Sequence, residues 1–185
     1  KQAREENPYV PKDIHFEGGV GLGLSPYDGT LNEYNDANYT LAYMGRISYL
    51  PFKAKKNRFG FEVLGWRTNF SHANEYYDAE LSFTLGAAQM VWQHQLFGAK
   101  SFVSLKAGGG LCVIGKGIDY TRDGEGRTLP EKNHFVYPTA TAGASVFFIP
   151  AKFFIMEFGV DFAHVAALGM PTGMVIPYAC IGLRL

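Results

Sequence analysis

No unbroken run of about 18 apolar residues occurs in the 185-residue chain, so no membrane-spanning helix is predicted. Charge of one sign is missing too, since Lys plus Arg and Asp plus Glu each total 17, leaving no cationic surplus for a phosphate backbone. Nucleic acid is therefore not an expected partner. Cysteine is scarce, and Cys112 and Cys180 alone cannot form a disulfide framework. Segment 1–12 is polar, charged and punctuated by proline, with none of the apolar core of a signal peptide, and reads as a polar lead-in to a mature chain. His15, His72, His94, His134 and His164 are scattered over different segments. No serine stands beside His164, and no His, Cys or carboxylate spacing matches a metal centre. The chain is expected to be no enzyme and to need neither metal nor cofactor. Asp119, Asp123 and Glu125 share their stretch with Arg122 and Arg127, which is the pattern of a solvated loop.

What the chain has in quantity is aromatic residues, at 15%, and glycine, at 22 residues, a composition that favours tightly packed β structure. Segment 153–163 shows the pattern most sharply. Phe154, Met156, Phe158, Val160 and Phe162 fall on one side, and Ile155, Glu157, Gly159, Asp161 and Ala163 on the other. A period of two is a strand. In a soluble strand the Phe face would pack a core and the carboxylates would meet water; in a membrane barrel the Phe face meets lipid and the charged face lines a narrow interior.

The same alternation recurs over 13–25, 39–50, 58–70, 79–93, 101–116, 134–148 and 173–185. Within 79–93, Leu81, Phe83, Leu85 and Ala87 oppose Glu80, Ser82, Thr84 and Gly86 until Gln89 breaks the phase, which predicts a bulge there. Long polar connections at 26–38, 71–78, 117–133 and 165–172 alternate with short ones at 51–57, 94–100 and 149–152. Eight strands with short turns on one rim and long loops on the other predict an all-β fold, an eight-stranded antiparallel up-and-down transmembrane β-barrel spanning 13–185. Both termini then lie on the short-turn side. A soluble lipocalin-like barrel would carry a densely polar outer face; here the more polar face is mostly Gly, Ala, Ser and Thr, which suits a narrow lumen. Tyr39, Tyr49, Phe59, Phe70, Phe148, Phe154 and Phe162, near strand ends, suit interfacial girdles, and Lys53, Lys55, Lys56, Lys100 and Lys152 sit on the short turns.

In strand pattern and loop alternation the chain resembles the small eight-stranded outer-membrane proteins typified by the OmpA transmembrane domain, OmpX and OmpW. The resemblance implies a bacterial outer membrane, lipid around the barrel and periplasmic termini.

Alternation puts Glu17, Glu62, Lys106 and Glu157 inside, at matching heights above the short-turn rim, with Arg46 and Arg184 in the same half. Unpaired charges in such a place would cost several kcal/mol each, so a mutually paired network is expected. The OmpA-like barrels have an interior charge cluster that blocks the pore, and these six residues resemble it, as a static filling or as a gate. Nearer the long loops, Leu64, Trp66, Ile114, Met174 and Ile176 point inward. They form either an apolar cup for a small hydrophobic molecule, as the resemblance to OmpW implies, or simply a packed core. Pro138 and Pro177 each remove a ladder hydrogen bond on either side of the seventh strand, predicting a lateral seam or only a bulge or frayed end. The function expected first is binding or passage of small hydrophobic molecules through the lumen. The alternative is a structural or adhesive protein whose loops, with Tyr27, Tyr34, Tyr76 and Tyr77, meet host or surface partners.

Overall fold

Eight alternating segments become eight strands in the computed structural model, which describes residues 13–24, 39–73, 78–96, 100–119, 131–167 and 170–185. They are β1 (Asp13–Leu24), β2 (Tyr39–Ala54), β3 (Asn57–Ala73), β4 (Asp78–Gln95), β5 (Ser101–Asp119), β6 (Glu131–Ala151), β7 (Phe154–Ala167) and β8 (Met170–Arg184). Each pairs antiparallel with its sequence neighbours, and β1 closes the ring on β8, with His15 opposite Arg184 and Leu24 opposite Val175. Closure leaves no open sheet edge through the body of the barrel, the condition for β structure in lipid. The strands are longer than alternation alone suggested. β3 and β4 pair up to Ala73 and Asp78, and β5 and β6 up to Ile118 and Glu131, so the strands take in both ends of the stretches 71–78 and 117–133. The lead-in 1–12 and segment 26–38 lie outside the described residues.

The short turns are built from the residues they need. Lys55 and Lys56 link β2 to β3, with Lys55 at φ 53°, the left-handed conformation that closes a two-residue hairpin. Lys152 and Phe153 link β6 to β7. The bulge expected at Gln89 is absent, because β4 stays in register with both β3 and β5 and buries Gln89 on the same face as Ala87 and Val91. The register shifts lie instead between Tyr49 and Phe52 and between Phe148 and Ala151. Each shift contains a proline, Pro51 or Pro150, whose missing N–H is tolerated where the ladder is interrupted.

Alternation decides inside from outside: Phe61 and Val63 are 56% and 61% exposed, while Glu62 and Leu64 between and beside them are 2% and 1% exposed. Phe16, Ile47, Leu105, Phe158 and Ile181 continue this outward apolar belt around the ring. Charges inside and aromatic and aliphatic side chains outside are the arrangement of a barrel in lipid. Val63→Arg, near the middle of β3, is expected to lower stability by about 2–4 kcal/mol, measured by urea unfolding in lipid vesicles. Across β1 to β4 the belt is interrupted by Gly18, Gly45, Gly65 and Gly86, which stand opposite one another in successive ladders. Over Gly18, Gly45 and Gly65 they leave a shallow trough flanked by Phe16, Ile47 and Val63.

β4 departs from the pattern. Leu81, Phe83 and Leu85 are buried in the lumen, and Thr84, Gly86 and Ala88 face outward. Phe70, taken from its position as a girdle residue, also points inward and packs edge-to-face on Phe83 with ring centroids 5.9 Å apart. Space is the reason, since these two neighbouring strands supply the bulkiest part of the apolar filling in the loop half of the lumen.

Candidate functional site

Inward-facing charges from five strands meet in the turn half of the lumen. Arg46 on β2 lies opposite Glu17 in the ladder and extends across the interior to β7 and β8. Its guanidinium stands 3.6 Å from Glu62 and 3.3 Å from Glu157, pairs with Asp161, and donates to the Tyr178 hydroxyl at 2.8 Å. The same guanidinium sits 4.0 Å over the Tyr178 ring. Lys106 on β5 completes the set, donating to Glu62 at 3.0 Å and to Glu157 at 2.7 Å. The Tyr178 hydroxyl donates to Glu157 at 2.7 Å, and Ser48 donates to Glu62 at 2.8 Å. Arg46, Glu62, Lys106, Glu157 and Asp161 are each at most 4% exposed. Interlocked in this way, Arg46, Lys106, Glu62 and Glu157 each have two or more charged partners and Asp161 has Arg46, in a low-dielectric interior where a lone charge would be prohibitive. The arrangement is a cross-brace that ties β2, β3, β5, β7 and β8 together through the lumen.

Glycine makes room for it. A Cβ on Gly143 would lie 2.3 Å from Asp161 Oδ1, one on Gly159 2.7 Å from the Tyr178 hydroxyl, and one on Gly182 2.7 Å from Glu17 Cγ. Each of these glycines stands opposite the side chain it accommodates: Gly143 opposite Asp161, Gly159 opposite Tyr178, Gly182 opposite Glu17.

On the loop side of the brace, Leu64, Trp66, Met174 and Ile176 are buried in one apolar cluster with Phe70, Leu81, Phe83 and Leu85, and Ile114 packs against it. On the turn side, Phe102, Phe147, Ile149 and Ile155 form a second, smaller cluster. His15 stacks on Phe147 at 5.0 Å, and Arg58 lies over Phe102 at 5.2 Å. The lumen is thus layered as a large apolar cluster, the charged brace, and a smaller aromatic and aliphatic cluster that takes in buried His15 and Arg58.

Of the six expected lumen charges, Arg46, Glu62, Lys106 and Glu157 are joined by the ion pairs above, and Glu17 is buried beside them. Arg184 stands lower and half-buried, because Glu157 pairs with Cys180 across β7 and β8, four residues up the strand, or about 13 Å. Asp161 and Tyr178 were legible as inward-facing but not as members of the cluster. Pro138 lies one residue beyond the last β6–β7 pair, Thr139 with Val165. Pro177 leaves the β7–β8 ladder unbroken, Val160 being its partner, so the eighth strand is not loosened on that side. The interruption falls on the closure with β1, where pairing skips from Gly21–Tyr178 to Leu24–Val175. His164 and Asp161 lie on opposite faces of β7.

No family model matches the chain, and no curated protein sequence matches it. Solved structures do. The attachment invasion locus protein Ail of Yersinia pestis, in complex with the heparin analogue sucrose octasulfate, aligns with a TM-score of 0.65 and 11% identity, covering 95% of this chain and 100% of that one. Neisserial surface protein A aligns at 0.53 with 9% identity, covering 94% and 96%. The outer membrane protease OmpT of Escherichia coli aligns at 0.53 with 7% identity, covering 95% and 96%. Closure of eight antiparallel strands, an apolar exterior and a charged interior agree with these likenesses, and the chain has the fold of the small bacterial outer-membrane β-barrels.

Proposed function

We propose that this chain is a bacterial outer-membrane protein with a plugged barrel, its termini in the periplasm, whose work is done by surface loops as a structural or adhesive element. The observation that carries this reading is the layered lumen: the Arg46–Lys106 brace crosses the interior beneath a packed apolar cluster. A barrel filled in this way is a pedestal. The alignment with Ail and with a neisserial surface protein supports a surface role. The chemistry of the partner differs from a sulfated sugar, however. Segment 26–38 carries Asp28, Glu33 and Asp36 with no Lys or Arg, and 71–78 carries Glu75 and Asp78 beside His72, also with no Lys or Arg. Segment 117–133 mixes Asp119, Asp123, Glu125 and Glu131 with Arg122, Arg127 and Lys132, and 165–172 is uncharged. Acidic, tyrosine-rich loops suit a basic protein surface.

The test is adhesion of bacteria displaying the barrel to surfaces coated with basic matrix proteins or with heparin. Binding to the protein coat that is lost when 26–38 and 120–130 are replaced by Gly-Ser linkers supports the reading. Equal adhesion by the loop-replaced barrel, or preference for heparin, overturns it.

A second reading, passage of small hydrophobic molecules, draws on one observation: the Trp66 Nε1–H is buried in the apolar cluster without an acceptor. A mostly apolar molecule with a single acceptor oxygen would satisfy it, entering among Leu64, Ile114, Met174 and Ile176 and leaving beside Pro138. Saturable quenching of Trp66 fluorescence by such a probe, lost in Trp66→Phe, would favour this reading over the pedestal.

A further inference from the structure

Exposed cationic side chains gather at the turn end of the barrel. Lys53, Lys55 and Lys56 belong to the β2–β3 hairpin, Lys100 to the β4–β5 connection and Lys152 to the β6–β7 turn, and all five are exposed. No described side chain at this end presents an exposed carboxylate. These lysines are carried on anchored backbone. The Lys56 carbonyl accepts from Gln95 N at 2.8 Å, the Lys100 carbonyl from Ile149 N at 2.8 Å, and the Phe153 carbonyl, next to Lys152, from Arg184 N at 3.0 Å. A short step toward the barrel centre lies an exposed aromatic ring that includes Phe52, Phe59, Phe153 and Phe154. Trp92 joins it, pairing with Phe59 in the ladder and donating to Asn57 at 3.2 Å. Lys152 lies 5.1 Å over the Phe153 ring. Aromatic rings mark the depth at which acyl chains give way to headgroups, and lysines just beyond them sit at the height of the phosphates.

We propose that this end is a binding surface for anionic phospholipids, with headgroup phosphates held by lysines of the three turns and acyl chains packed on the aromatic ring below. Three properties favour a lipid over a soluble anion. The cations are spread around a rim instead of converging on a point. They are flexible, single-charge donors suited to phosphates at varied positions. The adjoining aromatic surface has a use only if the ligand has an apolar tail. Each lysine at such a surface is expected to change occupancy by about fivefold.

Trp92 provides the readout, since it faces outward at the ring, whereas Trp66 is enclosed in the lumen and 3% exposed. Fluorescence quenching by brominated phosphatidylglycerol, titrated into phosphatidylcholine vesicles that hold the folded barrel, gives the relative affinity of the two lipids at this rim. A preference for phosphatidylglycerol of about fivefold or more is expected, falling to near unity when Lys53, Lys55, Lys56, Lys100 and Lys152 are all replaced by Gln. In the unaltered protein the preference should also collapse between about 0.1 M and about 1 M salt, as the Debye length shortens from about 10 Å to about 3 Å. This arm needs no variant to fold. A ratio near unity in the unaltered protein, a preference that survives replacement of all five lysines, or one indifferent to salt overturns the proposal.

Discussion

Arg46→Ala is expected to lower the unfolding free energy by about 3–5 kcal/mol, the magnitude seen when one member of a buried charge network is removed and its partners are left behind. Arg46 pairs with Glu62, Glu157 and Asp161 at once, so its loss leaves three buried carboxylates facing Lys106 as the other cation of the brace. Lys106→Ala should cost a comparable amount, because Glu62 and Glu157 each lose a hydrogen-bonded ammonium. The double variant Arg46→Ala/Asp161→Ala should lose less than the two single losses together, since each removes the other's unpaired partner. Urea titration of the folded barrel, followed by heat-modifiable gel mobility, measures all three. Planar-bilayer recording adds an independent readout: the intact protein should conduct weakly, and either single substitution should raise its conductance by clearing part of the cross-section. Conductance unchanged in both variants would show that the brace does not control passage. Unchanged stability would sink its structural role as well.

Two glycines on β5 should be nearly irreplaceable while two others should not matter. A Cβ on Gly108 would lie 2.0 Å from the Ala88 carbonyl oxygen, and one on Gly110 1.9 Å from that of Gly86. Both obstacles are backbone of the paired strand β4, which cannot swing aside as a side chain would. Gly108→Ala or Gly110→Ala is therefore expected to cost about 3 kcal/mol or more, or to prevent folding. Gly18 and Gly86 face the lipid side with nothing within 4 Å of a built Cβ. Gly18→Ala and Gly86→Ala should stay within about 0.5 kcal/mol of the parent. Four substitutions of identical chemistry thus separate into two classes, and refolding yield into vesicles with urea midpoints reads them. Equal effects across all four would mean that the close approach of β4 and β5 is not what these glycines serve.

Much of this architecture is written in the chain as a period of two. That period alone assigns Phe154, Phe158 and Phe162 to lipid and Glu157 and Asp161 to the lumen, because successive side chains on a strand leave opposite faces. The alternation of long and short connections set the order and direction of the strands, and the inward positions of Glu17, Arg46, Glu62 and Lys106 followed. Heights were harder. Alternation puts Arg184 in the same half as Glu157 and gives Asp161 no partner, whereas the ladders place Arg184 lower and the Arg46 side chain reaches up to Asp161. Which residues share a level depends on how tilted strands stagger as the sheet closes, a property of the whole ring that no single strand encodes.

The sequence by itself determined that this is a β-barrel with charges inside, since alternation is local and each strand carries its own copy of it. Tertiary structure decided which face of β4 meets lipid, where the bulges fall, and which charges meet. Leu81, Phe83 and Leu85 would satisfy either environment, and only closure, by leaving a space beside Leu64 and Trp66 to be filled, turns them inward. The bulges follow Pro51 and Pro150 at the turn end and not the polarity of Gln89, because a missing backbone donor has to be placed where the ladder is already interrupted. Partners across the lumen are non-local by nature: Arg46 and Asp161 are separated by 115 residues, and only the ring brings them together.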